Sequence, residues 1–226
     1  MPGFGEFDPQ KFVSIIVTFV IAITVHEFMH AWTAWKLGDD TARLLGRVSL
    51  NPVVHFDPVG AMLFVLIALG LPGIAWGKPV PVNDFRLRPA GRLGRHGSMA
   101  LVSFAGPLSN VVLGAIAAGI WRLSTSAGVR LGEAEQFLQI FVIVNFSLAA
   151  FNMIPLPPLD GSRILVALLP AFWRPVLAPL ERYGVPILIL LLISGSFLNL
   201  GINIGSEIIR GITDPMLALL LKIFVG

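Results

Sequence analysis

The residues of this chain best suited to chemistry are His26, Glu27 and His30, spaced as H-E-x-x-H, and Asp160, which stands in Leu159-Asp160-Gly161. On an α-helix, side chains four residues apart share one face, so both imidazoles can bind a single cation. A glutamate beside them is placed to move a proton to and from water. The setting sharpens this reading. From Phe12 to Val25 the chain carries no charge, so the pattern lies within an apolar run of membrane-spanning character. Ionisable side chains are expensive in such a run and mark function there.

The chain contains no cysteine, which excludes disulfides and thiolate ligands. A zinc ion held here must use imidazole and carboxylate, and a catalytic zinc takes three protein ligands while keeping one position open. After His26 and His30, the candidates are His55, His96, Asp160 and other carboxylates. His55 and His96 fall in polar stretches and read as solvated surface histidines. Asp160 follows Pro155, Pro157 and Pro158, which break an apolar helix. Its carboxylate is thereby kept beside a membrane-buried site. It either ligates the metal or caps a helix beginning at Ser162, since aspartate is a favoured N-cap.

The elements that must position these residues follow from composition and periodicity. Of 226 residues, 55% are hydrophobic and 13% charged, with a mean hydropathy of +0.83. A soluble domain is more charged and less apolar, and several uncharged runs here are long enough to span a bilayer. The first run continues through His30 to Trp35 without the small-residue cleavage site of a signal peptide. No basic patch with interleaved aromatics points to nucleic acid. The expected fold is an all-α polytopic membrane protein, one domain over 1–226, with its core at 11–165 and C-terminal helices over 166–226.

Full spans are expected at 11–35 (about 37 Å as a helix), 98–121, 136–154 and 184–204. Residues 58–74 are apolar but short and flanked by Gly and Pro, as a segment that enters the membrane and returns would be. The tail piece from Met216 to Val225 is expected to lie on the membrane. Short β-like stretches are expected around 43–55 and 76–84. They either offer strand edges to an unwound substrate or merely plug the bundle, and Pro79 and Pro81 blunt one edge.

Parity supports the re-entrant reading. If 58–74 crossed fully, Asp160 would arrive at the face opposite the one where the His26–His30 helix ends. If it returns, Asp160 arrives at the same face and a similar depth. Lys36, Arg43, Arg47 and the basic tract with Arg86, Arg88, Arg92 and Arg95 then share one side, which the positive-inside rule makes the cytoplasm. The expected orientation in the cell membrane has the N-terminus outside and the site towards the cytoplasm.

Three motifs, in order, carry a resemblance: HEFMH in the first span, FAGPLSN in the second and FNMIPLPPLDG after the third. They resemble the site-2 protease family of intramembrane zinc metalloproteases, and WGKPVPVN and GRVSLNP resemble its compact prokaryotic-type branch. The resemblance covers most of residues 20–165. It implies one zinc ion held by His26, His30 and Asp160, with Glu27 as the catalytic glutamate. It also implies that Asn152 lies near the metal, where its amide would help stabilise an oxyanion. The implied activity is regulated intramembrane proteolysis, the hydrolysis of peptide bonds within or near transmembrane segments. The implied partners are the lipid bilayer and single-span substrates already trimmed by another protease. Some relatives carry PDZ domains or a C-terminal CBS pair, for which this chain has no room. Two other classes compete on the residues alone. A metal transporter would carry polar ligands along a path, yet here they stop at one cluster apart from Asn110 and Asn145. A non-catalytic scaffold would not need Glu27.

Overall fold

The computed structural model describes residues 8–69, 75–197 and 204–225. Its helices are α1 (Pro9–Lys36), α2 (Thr41–Leu44), α3 (Pro58–Ala68), α4 (Gly94–Ser126), α5 (Glu133–Asn152), α6 (Asp160–Leu168), α7 (Arg174–Phe197) and α8 (Ile204–Phe224). Single 3₁₀ turns occur at Pro52–His55, Gly91–Leu93 and Ala171–Trp173.

Three helical segments among the described residues are long and apolar enough to cross a membrane: Pro9–Lys36, Gly91–Ser126 and Glu133–Asn152. The first begins under Asp8, whose carboxylate accepts from the backbone N–H groups of Gln10 and Lys11, each at 3.0 Å. Pro9 occupies the first turn, where its missing N–H costs nothing. Lys36 closes the helix with its ammonium 4.7 Å from the centre of the Trp35 ring. In lipid, helices gain little from burying one aliphatic surface on another, so close packing of small side chains holds them together. Ala22, Ala31 and Ala34 of α1 and Ala118 of α4 are accordingly fully buried. Helix α4 is the central element, packed against α1, α5 and α6.

The 11 residues of α3 rise only about 16 Å, about half of the hydrocarbon thickness. The helix docks on α1 through Phe64, whose ring stacks on Phe19 with centroids 3.7 Å apart. Residues 70–74, the rest of the expected re-entrant segment, lie outside the described residues. So do 198–203, at the end of the expected span over 184–204.

One expectation is corrected: the described residues contain no strand. Asp39 accepts from the N–H and hydroxyl of Thr41, at 3.0 and 2.5 Å, just before α2, whose last two residues, Arg43 and Leu44, open the tract read as β-like. Residues 75–83 run without regular structure, because Pro79 and Pro81 lack donors and a ladder needs them. One backbone bond, from the N–H of Lys78 to the carbonyl of His55 at 2.9 Å, joins the two tracts. The tail piece from Met216 to Val225 is packed on the bundle. Leu217, Leu220, Leu221 and Phe224 recur at the spacing of one helix face and cover Ala117, Ala118, Val142 and Phe146. This stripe finds a protein partner at the α4–α5 surface.

Candidate metal centre and active site

Helix α1 carries His26, Glu27 and His30, all buried. The helical spacing sets the two imidazole rings edge to face with centroids 4.6 Å apart. Each Nδ1 is engaged away from the centre. That of His30 meets the carbonyl of Val102 on α4 at 2.7 Å, and that of His26 meets the Asn110 side-chain oxygen at 2.6 Å. Both Nε2 atoms therefore face inward.

Asp160 opens α6, reached through the proline-rich turn after α5. The capping alternative fails, because its carboxylate is turned to the histidines. Its Oδ2 lies 3.2 Å from His26 Nε2 and 3.3 Å from His30 Nε2. Gly161 is what lets α6 start there: a Cβ on it would stand 2.2 Å from the carbonyl oxygen of Met153. One donor atom from each of the three residues falls within 4.8 Å of the others. Zinc with bonds of about 2.0–2.1 Å in tetrahedral coordination has ligand–ligand edges of about 3.3–3.4 Å. The two histidine–aspartate separations are close to those edges, so the residues fit the ion.

The three donors line one wall of a cavity of about 490 Å³, together with Glu27 and Asn152. The Asn152 amide donates to the carbonyl of Leu148 at 2.9 Å, which uses one of its two hydrogens. Much of the remaining lining is apolar, from Trp76, Val80 and Val82 of the 75–83 segment and Val185, Leu188 and Ile189 of α7. Arg163, one turn beyond Asp160, adds a cation to the lining.

Sequence reasoning missed three features. Gly106 belongs to the quoted FAGPLSN motif, which by itself gives no sign of its place at the centre. A Cβ there would lie 2.4 Å from His30 Nε2 and 2.7 Å from His26 Nε2, so only glycine leaves the centre open. The second is the 75–83 segment, whose place over the cavity depends on contacts distant in sequence. Buried Arg47 donates to the carbonyls of Lys78 and, at 3.3 Å, Pro79, while Asp39 accepts from the N–H of Asn83 at 2.6 Å. The third is His55, expected on the surface and found 1% exposed. Its Nε2 meets the Ser49 carbonyl at 2.7 Å and its Nδ1 faces Arg47 at 3.4 Å. Burial holds this imidazole below the usual histidine range, against the pull of its bond to Ser49. His96 is half-buried at the start of α4 and does not line the cavity.

Residues 118–195 match Peptidase family M50. Over 215 residues the chain is 35% identical to YwhC of Bacillus subtilis (strain 168), covering 90% of this chain and 94% of that one. Over 191 residues it is 30% identical to Rip2 of Mycolicibacterium smegmatis, covering 81% and 68%. Over 192 residues it is 31% identical to Rip2 of Mycobacterium tuberculosis (strain H37Rv), again covering 81% and 68%. These relatives are named as zinc metalloproteases, and no solved structure matches. With several apolar helices and a His-His-Asp centre that fits zinc, the chain belongs to peptidase family M50, the site-2 proteases, as a multi-pass membrane zinc metalloprotease.

Proposed function

We propose that His26, His30 and Asp160 hold one catalytic zinc ion, that Glu27 is the general base and acid, and that Asn152 stabilises the oxyanion. The observation that carries this reading is the meeting of two Nε2 atoms and one carboxylate oxygen on the wall of the cavity that Glu27 also lines. Bound there, zinc supplies a Lewis acid that makes water nucleophilic near neutral pH and polarises a peptide carbonyl. Glu27 takes the proton of the attacking water as its oxygen bonds to the carbonyl carbon. It returns that proton to the amine as the C–N bond breaks, which leaves a carboxylate and a free amine. The uncommitted amide hydrogen of Asn152 serves the carbonyl oxygen as charge develops. The apolar lining from the 75–83 segment and α7 excludes bulk water and accepts the side chains of an apolar substrate.

The whole chain, 1–226, acts as one membrane domain in this reading. It crosses four times, through α1, α4, α5 and the segment 184–204, and dips in over 58–74. The shortness of α3 supports the dip. The N-terminus lies outside and the site opens towards the cytoplasm. The cations of Lys36 and Arg43, both within about 5 Å of the Trp35 ring, mark the end of α1 as an interfacial belt on the basic side. Substrates are single-span membrane proteins already shortened by another protease, because a small cavity admits one unwound segment more readily than a folded domain.

Purified protein in detergent, offered a library of tagged single-span substrates beside Glu27→Gln, tests the chemistry. Both proteins should hold about one zinc, the number the three-ligand site takes, and only the wild type should cleave. Zinc missing from both overturns the ligand set. Because the chain lacks cysteine, single cysteines at positions 40 and 90 test the orientation. Both should label from the cytoplasmic side, and labelling from opposite sides overturns the re-entrant reading.

A further inference from the structure

We infer that Asn110, held in turn by Asn145, is a positioning residue that locks His26 into the tautomer a metal ligand needs. The proposal rests on His26 being a ligand and goes beyond it, to how a membrane interior sets the proton on that ring. Asn110 of α4 and Asn145 of α5 are both 0% exposed, deep in the bundle between α1, α4 and α5. Side-chain amides are costly there unless every polar atom finds a partner.

The partners fix the direction of the chain of bonds. The Asn145 amide nitrogen lies 2.9 Å from the carbonyl of Phe141, one turn back on its own helix. A carbonyl only accepts, so Asn145 must present nitrogen to it and turn its oxygen to Asn110. The Asn110 nitrogen then donates to that oxygen at 3.0 Å, and its second hydrogen goes to the carbonyl of Ala22 on α1 at 3.1 Å. Both carbonyls force the same orientation on Asn110, which leaves only its oxygen for His26, at 2.6 Å. An oxygen acceptor at that distance requires the proton on Nδ1. In the neutral ring this leaves the lone pair on Nε2, which faces Asp160, as a ligating nitrogen must. The neutral His30 ring is set in the same tautomer by a shorter route, because its Nδ1 donates directly to the Val102 carbonyl.

The relay explains two amides within spans that the cleavage chemistry leaves unused. It also ties the ring on α1 to α4 and α5, so the helix contacts and the tautomer are set together. Groups that hydrogen-bond the far nitrogen of a ligating imidazole are worth about 10–100-fold in metal affinity.

The test compares wild type with Asn110→Leu, Asn110→Asp and Asn145→Leu by chelator competition for zinc and by the visible spectrum of the cobalt(II)-loaded protein. Asn110→Leu is expected to weaken zinc binding by about 10–100-fold and to alter the cobalt spectrum. Asn110→Asp keeps an acceptor oxygen for Nδ1–H and is expected to bind zinc within a few-fold of wild type. Asn145→Leu leaves both Asn110 and His26 in place and should show a smaller loss than Asn110→Leu. Nitrogen-15 histidine spectra of the zinc-loaded wild type need no variant. They should show His26 bound through Nε2 with an exchange-protected Nδ1–H. Wild-type zinc affinity and cobalt spectrum in Asn110→Leu overturn the proposal, as does a loss in Asn110→Asp equal to that in Asn110→Leu, or binding of His26 through Nδ1. A wild type that holds no zinc overturns the ligand reading instead, so the two failures are distinguishable.

Discussion

The two walls of the cavity are built by opposite rules. The wall of α1, α4 and α6 carries the titratable groups, and its tolerances are atomic. Gly106 and Gly161 are both places where one methyl group would strike polar atoms at under 2.5 Å. The facing wall, made by residues 75–83 and α7, is mostly apolar and open. Trp76, Val185 and Ile189 line the cavity and are still 41%, 51% and 43% exposed. Residues 75–83 are tethered by the side chains of Arg47 and Asp39. Hydrolysis needs groups held to fractions of an ångström, whereas admission of varied apolar segments needs a surface that can be displaced. In the proposed reading, one cavity meets both demands by dividing them between its walls.

Removing a donor from the tight wall should have the largest effect. Asp160→Ala is expected to lose zinc and to reduce cleavage by 10³-fold or more, since roughly 10²–10⁴ attends the acid–base step alone and the Lewis acid is lost as well. Zinc content and cleavage, measured together, check it. Gly106→Ala comes next and asks whether that wall is as tight as it looks. With a Cβ 2.4 Å from His30 Nε2, the rings must shift, and a displacement of about 1 Å costs about 10²-fold. The helix should still form, because alanine favours it. A Gly106→Ala protein that cleaves at the wild-type rate would erase the contrast between the walls.

The same division governs what the sequence discloses. His26, Glu27 and His30 are legible because one helix turn fixes their geometry, and Asp160 because prolines before it stop a helix at the right depth. Asn110 carried a readable signal as an amide in an apolar span, but its direction of bonding needs Ala22, Asn145 and Phe141 from other elements. Gly106 was quoted within a motif, and nothing local distinguishes a glycine facing a metal centre from one facing another helix. The apolar wall was harder. Residues 43–55 have the composition of a strand, but the end of α2 and the 3₁₀ turn Pro52–His55 take up its two ends instead. His55 reads as solvated until Arg47 and the Ser49 carbonyl close around it. Met216–Val225 reads as a surface piece because its partners, Ala117 to Phe146, lie far away in sequence.

Loosening the apolar wall should therefore cost less and act differently. Arg47→Ala removes charged hydrogen bonds worth about 1.5–3 kcal/mol each and frees residues 75–83. About tenfold slower cleavage is expected, mainly through KM, with zinc content unchanged. Arg47→Lys should rescue little, because one ammonium cannot bridge the Lys78 and Pro79 carbonyls as a planar guanidinium does. A loss of zinc in Arg47→Ala would mean that the two walls are not separable.

The smallest effect is a pH dependence confined to the tether itself. Burial keeps the His55 imidazole below its ordinary value near 6.5, so the folded protein favours its neutral form. Below that value the unfolded chain binds a proton that the folded chain refuses, and stability falls as pH falls. Above it both states are neutral and the term is constant. Wild-type thermal midpoints in detergent should be level from pH 7 to 8 and decline as pH drops through 6.5 towards 5. His55→Gln keeps a donor for the Ser49 carbonyl and has nothing to titrate, so its decline should be shallower over that interval and parallel to wild type above it. The difference should appear in stability and leave zinc content at pH 7 unchanged, because His55 bonds to Arg47 and Ser49 and is not among the residues that line the cavity.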